Sequence, residues 1–338
     1  MTQFNLDHVS HSSLSALKVS PQFFVKYKNR ELDQDSKSFD LGSAIHCYIL
    51  EQEVFYNRYI ICNVPVIGGM MGTFIEAIVE NEKFINDIDL IDEFVIADVD
   101  ELYKICYEKS GFKIPLATVI AKLELEGNKA YLKFLREAAG KTVLSNEEFG
   151  IVVNCTESIN AHKTARNLCS TNDLTGGIPE LKVSWTYKDF PYKIKSIIDN
   201  LILDKDKKEV QIVDLKTTAK SVYNFVRSYV SYGYYRQLGI YRLAVHSYLK
   251  ELGEDPSSYN IFSYIVAVQT TGLYECVVYE PDNTDLSVAV DEFESLLDRL
   301  KWHTDHDRWE YPREYYNNNG IIKIKLSDEA ISRIRENS

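Results

Sequence analysis

The sequence predicts an α/β fold, a central mixed β-sheet flanked by helices, and three stretches carry that expectation. Between Lys195 and Thr218, two apolar runs, Ile197-Ile198 to Leu203 and Val210 to Val213, flank the charged segment 204–209, the pattern of a β-hairpin with a solvated turn. Glu180 to Tyr187 reads as a further antiparallel strand ahead of it. Behind it, Ser221 to His246 places apolar and aromatic residues at helical spacing, and Ile261 to Gln269 with Leu273 to Tyr279 reads as a second hairpin around Thr271-Gly272. Strands that alternate with helices in this way need a sheet covered by helices.

The remaining elements follow in chain order. Ser12 or Ser13 is expected to cap a short helix with Leu14 and Leu17 on its apolar face, and Ser20-Pro21 to start another with proline at its first position. Gly42-Ser43 precedes an apolar helix, Ala44 to Leu50, that carries His46. Gly68 to Gly72 reads as a loop, with helical stretches around Phe74 to Phe84 and Leu116 to Ala139 and a turn at Ser110 to Lys113. Gly140-Lys141-Thr142 lacks the upstream glycine of a phosphate loop, so no nucleotide site is expected. Ser145-x-x-Glu148 is a capping box for a helix through Ile151, Val152, Cys155 and Ile159, with His162 expected to face solvent. Leu286 to Trp302 closes the chain with an amphipathic helix.

The 338 residues are enough for a sizeable core, and 45% hydrophobic with 26% charged residues is the composition of a globular protein. No apolar run reaches the length of a membrane span and the N-terminus lacks the plan of a signal peptide, which predicts a cytoplasmic protein. The six cysteines form no C-x-x-C pair and no Cys/His group, so zinc and iron–sulfur sites are not expected. The net charge is −12, yet residues 182–250 hold 13 Lys/Arg against 6 Asp/Glu, a local +7 that leaves −19 for the rest. An acidic body with one basic stripe admits a phosphate backbone at that stripe and discourages it elsewhere.

The hairpin also carries the chemistry. If its strands pair, Asp199 and Asp214 stand side by side, and period-2 alternation puts Lys216 on the face of Asp214. Converging carboxylates repel unless a divalent cation lies between them, and hard oxygen donors suit Mg²⁺ or Mn²⁺. A lysine beside such a metal orients a water or stabilises charge on a phosphorus centre, and partial burial is expected to lower its pKa. The competing reading, a polar-ended hairpin with surface Asp and Lys, is weakened by the apolar flanks, because a charge inside a buried strand needs partners.

The order S-x-L, Ser20-Pro21, Gly42-Ser-Ala-Ile-His46, Glu180 to Trp185, Asp199, Asp214-Leu-Lys216-Thr-Thr and then YGYYRQ-x₃-Y over 232–241 resembles the nuclease domain of exodeoxyribonuclease VIII (RecE-like) recombination exonucleases of phage type, in the PD-(D/E)XK superfamily. The likeness covers the first fifty residues and about 140 to 250; Trp309 to Pro312 resembles the family's aromatic-proline tail. It implies a single nuclease domain over 1–338 with a helical insertion at 60–140. It also implies metal ligation by His46, Asp199, Asp214 and the Leu215 carbonyl, catalysis by Lys216 with Asp199, Asp214 and Glu180, and DNA contacts from Gln237, Tyr241, Arg236 and Thr217. The implied activity is Mg²⁺- or Mn²⁺-dependent 5′ to 3′ digestion of linear double-stranded DNA ends, in a ring-shaped homo-oligomer with a single-strand annealing protein as partner. An endonuclease or CRISPR-associated exonuclease of the same superfamily, and a catalytically silent DNA-binding protein, are the alternatives.

Overall fold

A computed structural model describes residues 6–32, 37–86, 99–171 and 177–323, and the chain divides into two compact units, one from Met1–Ser36 with Glu157–Ser338 and the other Lys37–Thr156. The first unit begins with β1 (His8–Val9), α1 (His11–Val19) and α2 (Pro21–Lys28). Ser10 caps α1, where Ser12 or Ser13 was the expected cap. Ser13 is the third helical residue and returns the bond to the Ser10 amide, closing a capping box. Ser20 ends α1 and caps α2, with Pro21 in the first turn as the sequence predicts.

The second unit contains α3 (Lys37–Leu50), α4 (Gln52–Arg58), β2 (Tyr59–Cys62), α5 (Gly69–Asn86), α6 (Val99–Ser110), α7 (Leu116–Leu123), α8 (Glu126–Glu137) and β3 (Thr142–Ser145). Two expectations fail here. α3 runs through Gly42 instead of starting after it, and α5 starts at Gly69 within the stretch read as a loop, so a glycine cluster ahead of an apolar run marks a helix start as readily as a break. β2 and β3 pair in parallel, Tyr59 with Thr142 through Cys62 with Ser145. Phe74, Ile78, Cys106, Val119, Leu123 and Phe134 form the core of this unit. The capping box opens α9 (Asn146–Ala161): the Glu148 amide donates to Ser145 Oγ and the Ser145 amide donates to Glu148.

The first unit resumes with α10 (Lys163–Leu168), β4 (Gly177–Trp185), β5 (Lys193–Asp204), β6 (Glu209–Thr218), α11 (Phe225–Ser231), α12 (Tyr234–Glu251), β7 (Asn260–Gln269), β8 (Cys276–Tyr279), α13 (Asn283–His306) and α14 (Arg313–Asn317). His162, expected on a solvent face, instead caps α10, its Nδ1 accepting from the Ala165 amide at 3.2 Å. The helically spaced stretch Ser221 to His246 is broken at Gly233, whose φ of 69° is the left-handed conformation that favours glycine.

These strands form one mixed six-stranded sheet. β4 pairs antiparallel with one edge of β5 from Trp185–Ile194 to Gly177–Ile202. On the other edge, β6 pairs with Asn200 to Asp204 and β1 with Lys193 and Ile194. Between them the edge of β5 from Lys195 to Asp199 is open, because β6 leaves it to run parallel with β7 over ten residues, Glu209–Asn260 to Thr218–Gln269. α12 covers the face bearing Ile198, Ile212 and Ile265, in a core with Phe225, Leu238 and Leu286. Val9, Leu14, Phe24, Trp185, Phe293 and Leu300 continue that core beneath α1, α2 and α13. Each such side chain removed from water contributes about 1.5–3 kcal/mol. No helix among the described residues is long and apolar enough to cross a membrane.

Candidate active site

The site grows from the point where β5 and β6 part. Their ladder ends at Asn200–Val213, and the next residues outward on the two strands are Asp199 and Asp214. The Leu215 amide, released from the ladder, donates to Asp199 Oδ2 at 2.8 Å. On the opposite edge, β4 pairs through Pro179–Asn200 and Leu181–Ile198, so Glu180 stands opposite Asp199. Glu180 itself has φ 49°, a left-handed backbone rare for a residue with a side chain. That conformation costs on the order of 1–3 kcal/mol and persists where the surroundings impose it, a pattern that clusters at functional sites. A carboxylate oxygen of Glu180 lies within 4.8 Å of one of Asp199. Glu180, Asp199 and Asp214 thus form a row, one residue from each of three adjacent strands.

Lys216 completes the group from the predicted face. Its Nζ lies 2.7 Å from Asp214 Oδ1 and 5.1 Å from the centre of the Tyr234 ring. Asp214 is fully buried and Asp199 nearly so. Burial raises the Asp199 carboxyl above its ordinary range, although the Lys216 charge and the Leu215 amide pull the other way. For Lys216, burial favours the neutral amine, but Asp214 and Asp199 outweigh it and hold the ammonium above its usual value. This corrects the expectation that partial burial lowers the lysine pKa: the two acids beside the amine outweigh the burial. Lys216 is a charged donor, suited to stabilising negative charge.

α12 roofs the row. Gln237 Nε2 donates to the Tyr241 hydroxyl one turn on, at 2.7 Å. Burial, with the charges of Asp199, Asp214 and Glu180, pushes the Tyr241 phenol well above its ordinary value. Gln237 and Tyr241 also line a cavity of about 230 Å³ with His8, His11, Ser12 and Lys195, beside the open edge of β5. Sequence reasoning passed over His8 because a two-residue strand such as β1 has no periodic pattern, and over His11 and Lys195 because nothing local brings α1 to the edge of β5. Thr217 is half-buried on β6 just beyond Lys216. Arg236, expected at the DNA surface, is instead buried: Nη1 pairs with Glu292 at 2.9 Å and Nη2 donates to Ser15 at 2.9 Å. Its position in the YGYYRQ string turns it toward α1 and α13, so its charge serves the fold. His46 is half-buried on α3, in the other unit.

The donor set fits a hard divalent cation: three carboxylates beside one ammonium are the oxygen ligands that suit Mg²⁺ or Mn²⁺. The six cysteines are all free thiols, and burial raises those of Cys169 and Cys276.

A mixed sheet with flanking helices, a parting hairpin that carries two aspartates and a D-x-K lysine, and a preceding glutamate define the PD-(D/E)XK nuclease superfamily, whose members typically depend on a divalent metal. More particularly, the chain belongs to the family described as a PDDEXK-like domain of unknown function (DUF3799), whose model matches residues 10–314. Among solved structures, it is similar to a protein of Eubacterium rectale named as a candidate exonuclease, at 14% identity and a TM-score of 0.47, covering 96% of this chain and 93% of that one. It is also similar to the protein SSO0001, at 11% identity and a TM-score of 0.24, covering 75% of this chain and 84% of that one. No curated protein matches the sequence.

Proposed function

We propose that the protein is a Mg²⁺- or Mn²⁺-dependent deoxyribonuclease that digests linear duplex DNA from its ends, 5′ to 3′, leaving a single strand for an annealing partner. The observation that supports hydrolysis best is the row Glu180, Asp199 and Asp214 with Lys216 at its end. Those three carboxylates and the Leu215 carbonyl would hold the metal, with His46 a further ligand on the strength of the sequence order alone. Such an ion, when bound, supplies an activated water and neutralises charge on the leaving oxygen. Lys216, kept protonated by its acids, donates to the attacked phosphate, and Gln237 and Thr217 position the backbone beside it.

End direction and polarity rest on the resemblance to the exodeoxyribonuclease VIII family. The same resemblance supports a single nuclease domain with an insertion at 60–140, assembled as a homo-oligomeric ring. The test is digestion of linear duplex labelled separately at its 5′ and 3′ ends, with Mg²⁺ or chelator, beside a covalently closed circle. Metal-dependent release of the 5′ label with the circle spared is the expected result. Nicking of the circle identifies an endonuclease, and no cleavage with either metal leaves a silent DNA-binding protein.

A further inference from the structure

From Leu215 to Lys250, 36 residues contain six Lys/Arg and no Asp or Glu, in a chain that has 50 acidic residues elsewhere. The first part of this stretch, beyond Lys216, is where the fold exposes what it ordinarily hides. Tyr223, Val226, Val230 and Tyr232 are between 60% and 66% exposed, and Lys220 and Arg227 are exposed beside them. On α11, Val226 and Val230 are four residues apart with Arg227 one turn before Val230, and Tyr223 stands in the 3₁₀ turn Val222–Asn224 just ahead of the helix. Two exposed β-branched residues favour neither the helix nor its solvation, so this face is not explained by folding. Phe225, on the buried side, fixes the helix by stacking between Tyr234 and Tyr279 at 5.7 and 5.6 Å.

The face is also continuous with the candidate active site. Tyr232 packs on Tyr234 at 5.6 Å between ring centres, and Tyr234 lies beneath Lys216. A strand whose phosphate reaches Lys216 therefore passes close to the exposed Tyr232 ring. Two acids border the face: Glu275 accepts from the Tyr223 hydroxyl at 3.1 Å, and Asp285 accepts from the Tyr229 hydroxyl at 3.3 Å.

Resting on the nuclease reading above, we propose that Tyr223 and Tyr232, with the Val226–Val230 face between them, form a stacking platform for the bases of single-stranded DNA at the mouth of the site. The rings supply π-faces that accept any base, the valines pack against sugar and base edges, and Lys220 and Arg227 track the phosphates. A protein partner on this face is the less favoured occupant, because the segment from Leu215 to Lys250 carries Lys and Arg but no Asp or Glu, which complements a polyanion.

The test is binding of fluorescein-labelled oligothymidylate, and of an abasic strand with the same number of phosphates, to the full-length protein in chelator, read by anisotropy. Wild type is expected to prefer the base-bearing strand by tenfold or more, since each stacked base is worth about 1–3 kcal/mol. The double variant Tyr223→Ala/Tyr232→Ala is expected to lose that preference while keeping its affinity for the abasic strand, and Tyr223→Phe/Tyr232→Phe to retain it. Equal binding of both strands by wild-type protein that cleaves DNA in Mg²⁺ overturns the platform and leaves the nuclease reading standing. Wild-type protein that neither binds nor cleaves overturns both. A fall in molar mass by light scattering in the alanine variant, with strand preference unchanged, assigns the face to contact between copies and overturns the proposal.

Discussion

Lys216 Nζ and Asp214 Oδ1 lie 2.7 Å apart, two residues along one strand, with the carboxylate fully buried and the ammonium 14% exposed. The pair is an internal salt link that β6 can make only because period-2 alternation turns both side chains to one face. Replacing Lys216 with methionine keeps the stem and removes the charge. Cleavage is expected to fall by about 10²–10³ or more, the scale of losing one stabilising donor, with DNA binding largely kept. A variant that cleaves at the wild-type rate would remove Lys216 from the mechanism.

Three carboxylates in a row, with one lysine at its end, also predict how the protein responds to metal without any substrate. Mg²⁺ or Mn²⁺ at a hundred times its Kd stabilises the fold by about 2.7 kcal/mol, seen as a raised Tm that chelator reverses. Asp199→Asn and Asp214→Asn are each expected to abolish most of that shift, and Asp199→Asn also weakens the acceptor for the Leu215 amide. A metal-dependent Tm that survives both substitutions would place the ion elsewhere.

Much of this site was legible in the sequence because its parts are local. Asp214, Lys216 and the hairpin turn lie within one strand and its neighbour, where period-2 alternation and charge segregation speak directly. The place of Glu180 was legible only as a motif position: its left-handed backbone depends on the pairing of β4 with β5 on either side of it. The burial of Arg236 was not legible, since an arginine in an aromatic, basic helix reads as a DNA contact until Glu292, 56 residues further on, is known to reach it. The open edge of β5, and with it the cavity, follows from where β6 leaves its partner, a choice made by the parallel ladder with β7 and written in no single segment.

Acid should destabilise the protein in two steps. His11 is pushed down to about 3, chiefly by burial and then by the charges of Arg236 and Lys216, while its Nε2 donates to the Gly233 carbonyl. In the unfolded chain it takes up a proton below about 6.5, so the unfolded state binds more protons and stability falls between that pH and 3. Burial alone would raise Glu292, but hydrogen bonds from Lys18 and Tyr235 and the nearby Arg236 bring it down to about 2. Its contribution is present above about 4.5 and is lost as pH falls toward 2. Urea unfolding from pH 8 to 3 is expected to show decline beginning near 6.5, to which His8, His246 and His303, also lowered by burial, contribute, and His11→Asn to flatten part of that first limb. An unchanged limb in His11→Asn would show that this histidine is not the titrating group.

Glu292 and Gly239 together locate where α12 is held against α13. Glu292→Gln leaves the Arg236 guanidinium, 3% exposed, without its charge partner, which is expected to cost about 3–5 kcal/mol. Gly239 fails in the opposite way. A Cβ on it would stand 2.7 Å from the Ala289 Cβ, closer than packed carbons allow, so the two helices meet only because residue 239 has no side chain. Gly239→Val should therefore force α12 away from α13, destabilising the protein by about 1–3 kcal/mol or more. Because Gln237 and Tyr241 flank that contact on the same helix, the variant should also disturb the roof of the site. Its cleavage rate at temperatures well below Tm is expected to fall, whereas an exposed substitution to the same residue, Ser231→Val at the end of α11, should leave the stability within about 0.5 kcal/mol of wild type. Equal Tm values for Gly239→Val and wild type would mean that α12 and α13 have slack at this crossing, and the close approach would not be what fixes the roof.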